Sequence, residues 1–344
     1  MVVSYEIDVS KHARYFQMVL NGIPSKSQDM QRSLIAFFCL CGLDVLGELK
    51  RVDKIRNEIV AWLKLTQNTS ENRCFRGSTT FKHQSNQFDT PHLTMTAMSM
   101  LSLVILGENI QDIDVDLTPI TEHLHCFQTE SGCFQPSLLP DDELDVRFCY
   151  SAMVLYGLMK LIESKLGKEP AKVQIDIDKM VKYLDQCTTY ETAFTVKPDL
   201  ESHAGAVYCS LASLKLAGKL DDVVNGKRKD ALIKWLLRRQ NIDGGFNGRP
   251  NKPSDSCYFF WVGASLAMLD AIHFVDPKSV LGFCQEVEDK VIGGFSKLPG
   301  STADPLHSFL TLAGLSLFGT FQDRLGEISP EFCFPKRSLN NLLI

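Results

Sequence analysis

Apolar residues recur along this chain with a helical period, and two kinds of helix alternate. In the first kind they form a stripe. Ile55, Ile59, Trp62 and Leu63 fall at i, i+4, i+7 and i+8, with Lys54, Arg56 and Glu58 on the polar face. Ile177, Val181 and Leu184 make a similar stripe, as do Leu232, Trp235, Leu236 and Arg239. In the second kind the apolar or small residues run almost all the way round. These segments are 34–46, 93–106, 146–162, 204–217, 256–272 and 306–317. No segment alternates strictly between hairpin turns, so the pattern predicts an all-α chain.

The alternation is a repeat. A striped helix ends near a Gln, a short loop leads to a Phe, and a polar loop then precedes the next apolar helix. The pairs are Gln67 with Phe75, Gln128 with Phe134, Gln186 with Phe194, Gln240 with Phe246 and Gln285 with Phe295. The Phe anchors lie 59, 60, 52 and 49 residues apart. A unit of this kind cannot bury its faces alone, so units must stack. Helices that are apolar all round favour a closed ring, apolar helices inside and striped helices outside, over an open solenoid with a polar concave face. The expected organisation is one domain over residues 1–344. Its repeats fall at roughly 60–110, 118–165, 175–218, 228–273 and 278–320, with a terminal extension at 321–344.

Composition narrows the function classes. Of 344 residues, 44% are hydrophobic and 22% charged, which fits a globular chain. The net charge is −5, which argues against a dedicated nucleic-acid binder, and any anion site must be a local basic cluster. No apolar run approaches a membrane span, and no signal peptide is visible near the start. The 11 cysteines include no CxxC pair, which points to buried thiols and a reducing, cytoplasmic setting.

The loops before the apolar helices differ most between repeats, so chemistry is expected there. Counted from the Phe anchors, Asp255 is at +9 and Cys257 at +11, and His307 is at +12 in the next repeat. Equivalent positions of adjacent repeats are neighbours, so these three converge. Asp, Cys and His make a three-ligand zinc site with an open fourth position. The same residues also read as an N-cap, a core thiol and a surface imidazole. A second cluster holds Arg249, Lys252 and Tyr258, with His203 at +9 from Phe194. Cations and donors at successive helix starts suit a diphosphate. Residues 141–145 spell DDELD, a magnesium–diphosphate motif in prenyl chain-elongating enzymes. A single copy opening a helix after Pro140 reads instead as a charged helix N-terminus.

These residues carry a resemblance. GRPNKPSDSCYFFWVGASL (248–266), ESHAG (201–205), DVRF (145–148), GGFSK (293–297) and DPLH (304–307) occur in the order seen in the protein prenyltransferase beta-subunit family. The resemblance runs from about His12 to Phe318. RPNKP, FFWVGASL and the IAFF…GLDVL stretch near the N-terminus resemble its geranylgeranyltransferase type I branch.

The resemblance implies an α/α barrel, or toroid, and a transferase that moves a geranylgeranyl group from geranylgeranyl diphosphate to the Cys of C-terminal CaaX motifs. It implies one zinc held by Asp255, Cys257 and His307. His203, Arg249, Lys252 and Tyr258 would hold the diphosphate, with Pro250 and Asn251 in the same loop and Ala204 and Gly205 at the family's His-Gly-Gly positions. Phe259, Phe260 and Trp261 would line an isoprenoid tunnel, Leu34, Phe38 and Leu306 its deeper or peptide-facing wall, and Arg147 would lie near the substrates. The implied partners are the alpha subunit shared by farnesyltransferase and geranylgeranyltransferase type I, forming a heterodimer, and CaaX proteins such as Rho-, Rac- and Rap-type small GTPases. No nucleic acid and no membrane span are expected. Ala204 stands where the family has a second Gly, and Leu34 where this branch often has Thr. Lys297 stands where farnesyltransferases have a magnesium-binding Asp, so magnesium is not expected to be required. Rival readings are a farnesyltransferase beta subunit, a terpene cyclase and a non-catalytic helical interaction protein.

Overall fold

The computed structural model describes residues 5–22, 26–67, 74–80, 90–107, 118–139, 142–167 and 173–343. Among these residues, six helices form an inner ring: α2 (Arg32–Val45), α4 (Leu93–Leu106), α6 (Val146–Lys165), α8 (Ala204–Leu216), α11 (Tyr258–Met268) and α13 (Pro305–Leu317). Each packs on the next, and α13 packs back on α2, so the ring closes. Their uniform apolarity follows from this position. Every residue of α4 except Thr94 is buried. The striped helices lie outside: α1 (Val9–Asn21), α3 (Arg56–Thr66), α5 (Thr118–His123), α7 (Ile177–Gln186), α10 (Gly226–Leu237) and α12 (Pro277–Val287), with the short α9 (Leu220–Val223) leading into α10. In α10, Leu232, Trp235 and Leu236 are buried while Lys234 is exposed and Lys229 half-buried. The pair α1/α2, which lies before the first repeat expected from sequence, completes the circle.

Each repeat closes with an antiparallel bridge to its Phe. The partners are Gln67, Gln128, Thr188, Gln240 and Glu288. In the third and fifth repeats the bridge therefore forms two and three residues beyond the expected Gln186 and Gln285, because the chain runs on past the final helical residue before it pairs. All five Phe rings are fully buried.

Backbone hydrogen bonds join neighbouring units in a regular way. The amide at the start of an inner helix donates to the carbonyl two residues after the next repeat's Phe. The pairs are Ser33 to Gly77 (3.1 Å), Leu93 to Pro136 (2.7 Å), Val146 to Val196 (2.9 Å), Ala204 to Gly248 (2.8 Å) and Ser256 to Lys297 (3.1 Å). The corresponding position of the fifth repeat is Pro305, which has no N–H to give. The outer layer is joined through turn glycines. Gly132, Gly244 and Gly293 have φ of +93°, +86° and +87°, and a Cβ there would meet the backbone of Lys179, Ser279 and Lys11 respectively. Gly293 meets α1 as Gly132 meets α7 and Gly244 meets α12, so α1 is the outer helix that closes the ring.

The terminal extension, residues 321–343 of the described chain, covers one end of the ring. Strands β1 (Ile328–Ser329) and β2 (Phe334–Pro335) pair, and α14 (Lys336–Leu343) packs on α6 and α4. Phe332, Cys333 and Phe334 are buried, and Phe334 stacks on Phe37. Arg337 pairs with Asp44, and Ser338 donates to the same carboxylate (2.9 Å). No helix among the described residues is long and apolar enough to cross a membrane.

Candidate active site

The functional side chains gather at the opposite end, where inner helices begin. Ser256 and Cys257 stand at the start of α11, and His307 lies in the first turn of α13. The carboxylate of Asp255, the Sγ of Cys257 and an imidazole nitrogen of His307 all lie within 4.8 Å of one another. His307 Nε2 is 3.2 Å from Asp255 Oδ1. Its Nδ1 is 2.6 Å from Oδ2 of Asp304, the N-cap of α13. Asp304 thus holds the proton on Nδ1 and turns Nε2 toward the cluster, the arrangement expected behind a metal-binding imidazole. Sequence reasoning gave Asp304 no role. The available signal was an Asp three residues before a His at a helix start.

The electrostatics fit a cation. Burial alone would lower His307, but hydrogen bonds and charges from Asp255 and Asp304 outweigh it and lift the imidazole to about 9. An imidazolium between two carboxylates takes the place of a positive centre. Burial works to raise the Asp255 carboxyl, yet the His307 hydrogen bond leaves it below its ordinary value. Burial and the Asp255 charge push the Cys257 thiol far up, so a thiolate needs a cation beside it. Donor set and charge therefore suit a divalent metal with soft and borderline ligands. Lys297 Nζ is 3.7 Å from Asp255 Oδ2 and more than half exposed.

The second cluster begins one residue beyond Cys257. Tyr258 Oη is 3.0 Å from His203 Nε2. His203 is the N-cap of α8, and its Nδ1 accepts from the amides of Gly205 (3.1 Å) and Ala206 (3.3 Å). The ring proton therefore sits on Nε2 and is donated to Tyr258, leaving the phenol hydrogen free for another acceptor. Burial, with Arg249 nearby, holds His203 below its ordinary pKa and keeps it neutral. Gly248 is required by this contact, since a Cβ there would lie 2.1 Å from the Tyr258 hydroxyl. Arg249 Nη1 is 3.2 Å from Glu201 Oε2, and Arg147 Nη2 is 2.8 Å from Asp145 Oδ2. The cluster thus spans the starts of α6, α8 and α11.

A domain family described as prenyltransferase alpha-alpha toroid matches residues 7–334. The chain belongs to this family. It is 31% identical over 357 residues to the geranylgeranyl transferase type-1 subunit beta of Arabidopsis thaliana, covering 96% of this chain and 90% of the relative. It is 32% identical over 357 residues to the Dictyostelium discoideum protein of the same name, covering 96% of each. The solved structure of Candida albicans protein geranylgeranyltransferase-I complexed with GGPP superposes with a TM-score of 0.83 at 27% identity, covering 98% of this chain and 99% of that one. The toroid fold, transferase class and type-1 beta-subunit branch expected from the sequence are all supported by these likenesses.

Other expected prenyltransferase site residues fall as follows. Lys252 and Asn251 are exposed and Pro250 half-buried, on a turn where Asn251 has φ +61°. Ala204 is fully buried, so its methyl packs inside the protein, and Gly205 is the more open of the two. Leu34 and Leu306 are half-buried on α2 and α13. Phe38 packs on Phe309 (6.0 Å). Phe260 and Trp261 pack against Tyr208 at 5.1 and 4.9 Å. Phe259 is fully buried and packs on Phe246 and Phe283, toward α12. Consecutive helical residues point about 100° apart, so Phe259 faces different neighbours from Phe260 and Trp261. Asp141 of the DDELD stretch lies outside the described residues. Its Asp145 is the N-cap of α6, accepting from the Arg147 amide at 2.8 Å, which is a helix-start role.

Proposed function

We propose that this chain is the catalytic beta subunit of a protein geranylgeranyltransferase type I. It would transfer the lipid from geranylgeranyl diphosphate to the Cys thiol of a C-terminal CaaX motif, X typically Leu. The observation that carries this reading is the adjacency of two constellations. The Asp255–Cys257–His307 triad lies within 4.8 Å, and Tyr258, the next residue after Cys257, belongs to the His203 cluster. A thiol and a diphosphate held there meet at neighbouring helix starts.

Asp255, Cys257 and His307 would hold one zinc, which when bound supplies a Lewis acid that lowers the pKa of a thiol at its open position. Asp304 orients His307 for this task. The substrate sulfur forms a thioether bond to C1 of the lipid, the C1–O bond breaks, and the diphosphate leaves with the electron pair while the thiol proton passes to solvent. Negative charge grows on the departing oxygens. Tyr258 donates its free hydrogen there, His203 keeps the phenol in place, and Arg249, Lys252 and Lys297 supply positive charge. Neutral His203 acts by orientation and not as an acid. Arg249 leaves Glu201, an exposed pair of small worth, to meet the diphosphate. Phe260, Trp261, Phe38 and Leu34 would shield the apolar lipid. The partner is an alpha subunit in a heterodimer, and the protein substrates are CaaX proteins such as Rho-, Rac- and Rap-type GTPases in the cytoplasm.

Co-expression with an alpha subunit, metal analysis and prenylation of peptides ending in Leu, Ser or Met test the reading. One zinc per heterodimer, lost in Cys257→Ala, and preferred transfer of geranylgeranyl to the Leu peptide are expected. Full zinc and activity in Cys257→Ala would refute the site. Preferred use of farnesyl diphosphate would move the chain to the farnesyltransferase reading.

A further inference from the structure

The turn at residues 294–297 touches the immediate neighbours of all three metal-binding side chains. Ser256 stands between Asp255 and Cys257. Its amide donates to the Lys297 carbonyl (3.1 Å) and its Oγ to the Ser296 carbonyl (2.7 Å). Ser308 follows His307. Its Oγ accepts from the Phe295 amide at 2.8 Å. The Asp304 amide donates to the Phe295 carbonyl at 3.3 Å. An amide–hydroxyl bond like that of Phe295 also occurs in the first repeat, between Phe75 and Thr96 (2.9 Å), so it belongs to the repeat. Particular to the fifth repeat is that its turn carries both halves of the Asp255–Cys257–His307 group.

This turn sits at the seam of the ring, where Pro305 removes the backbone bond that joins the other units. His12 of α1 takes up the role. It is fully buried, and its Nδ1 accepts from the Gly294 amide at 3.0 Å. Its ring stacks on Phe295, centroids 4.6 Å apart and planes 14° apart. Accepting at Nδ1 puts the proton on Nε2, which faces Glu288 Oε1 at 3.6 Å. Gly293 abuts the Lys11 backbone beside it. The ring of His12 is thus locked from several sides and locks the turn in return.

We propose that His12 is a positioning residue for the metal centre, fixing through the 294–297 turn the serines that flank Asp255, Cys257 and His307. The inference rests on the zinc reading of that triad. Loss of a group bonded directly to a metal ligand typically weakens metal affinity about 10- to 100-fold, and His12 acts further out, so an effect at the lower end is expected.

The test uses the heterodimer with zinc and cobalt(II) as probes. His12→Leu fills the space without an acceptor, and His12→Asn keeps an acceptor near Nδ1. Zinc affinity is read by competition with a chromophoric chelator, and geometry by the thiolate-to-cobalt and d–d absorption bands. His12→Leu is expected to bind zinc about tenfold more weakly and to shift the cobalt bands, with His12→Asn recovering most of both. Ser256→Ala and Ser308→Ala probe the same path if His12→Leu does not fold, and each should weaken zinc binding. Wild-type zinc affinity and cobalt spectra in His12→Leu, or in both serine variants, overturn the inference even if the melting temperature falls. A wild-type heterodimer that takes up no zinc overturns the metal reading and this inference together. Zinc lost in Cys257→Ala but unaltered in the His12 and serine variants overturns the inference alone.

Discussion

Replacing Tyr258 by Phe removes one oxygen from a defined geometry. The hydroxyl is 3.0 Å from His203 Nε2, and the two backbone amides on Nδ1 fix that imidazole as the donor. The phenol hydrogen is then available to an oxygen of the leaving diphosphate. A hydrogen bond to a charged acceptor is worth about 1.5–3 kcal/mol, which corresponds to a rate loss of roughly 10- to 150-fold. The bond strengthens as charge moves onto the leaving group, so the loss should fall on kcat and leave KM for the lipid diphosphate nearly unchanged. Single-turnover transfer to a CaaX peptide, with the diphosphate saturating, reads the chemical step directly. A His203→Ala change should be non-additive with Tyr258→Phe, since the imidazole acts by holding the phenol. A single-turnover rate within twofold of wild type, or a raised KM at unchanged rate, would refute the assignment of the hydroxyl to the transition state.

Prenyl transfer should need zinc and change little as magnesium is titrated from zero. Lys297→Asp should slow the reaction without magnesium and regain part of it when magnesium is added, and a wild-type enzyme dead without magnesium would contradict this. Burial, reinforced by Lys11, lowers His12 from 6.5 to about 4. Between those values the unfolded chain takes up a proton that the folded chain does not, so stability is full above about 6.5 and falls by up to about 3 kcal/mol as the pH drops toward 4. Burial raises Glu288, which offsets part of the loss. Urea unfolding from pH 8 to 4 should show a shallower acid decline in His12→Asn than in wild type, and equal slopes would count against the buried neutral imidazole. Phe334→Ala should cost about 3–5 kcal/mol, because the ring is fully buried and stacked on Phe37, and should leave zinc content intact. A loss under about 1 kcal/mol by thermal or urea unfolding would show that the C-terminal cover is not part of the core.

Much of the architecture was legible in sequence because burial leaves a periodic trace. A helix enclosed by neighbours on all sides is apolar all round, as at residues 93–106, and a helix on the rim keeps a polar face, as at 232–236 with Lys229 and Lys234. The metal group was legible for a related reason. Equivalent positions of adjacent repeats become spatial neighbours, so Asp255, Cys257 and His307 could be brought together by counting from Phe246 and Phe295.

Other features depended on direction and closure, which no linear pattern encodes. Within the FFW run, helical rotation sets Phe259 against Phe246 and Phe283 and sets Phe260 and Trp261 against Tyr208. The extension covers the ring because Phe332, Cys333 and Phe334 find apolar surface that exists only once the inner helices have closed. Likewise Asp304, His12, Ser256 and Ser308 are ordinary residues in sequence. What the sequence determined by itself was the helix types, the repeat and the identity of the chemically active side chains, since these follow from local periodicity and composition. What only the tertiary structure decided was the seam where α13 packs on α2 and α1 meets the 293–295 turn, the buried contact of His12 with residues 294 and 295, and the orientation of His203 toward Tyr258. Those join residues 282 and 55 positions apart, and such contacts are set by how the ring closes and not by any neighbouring residue in the chain.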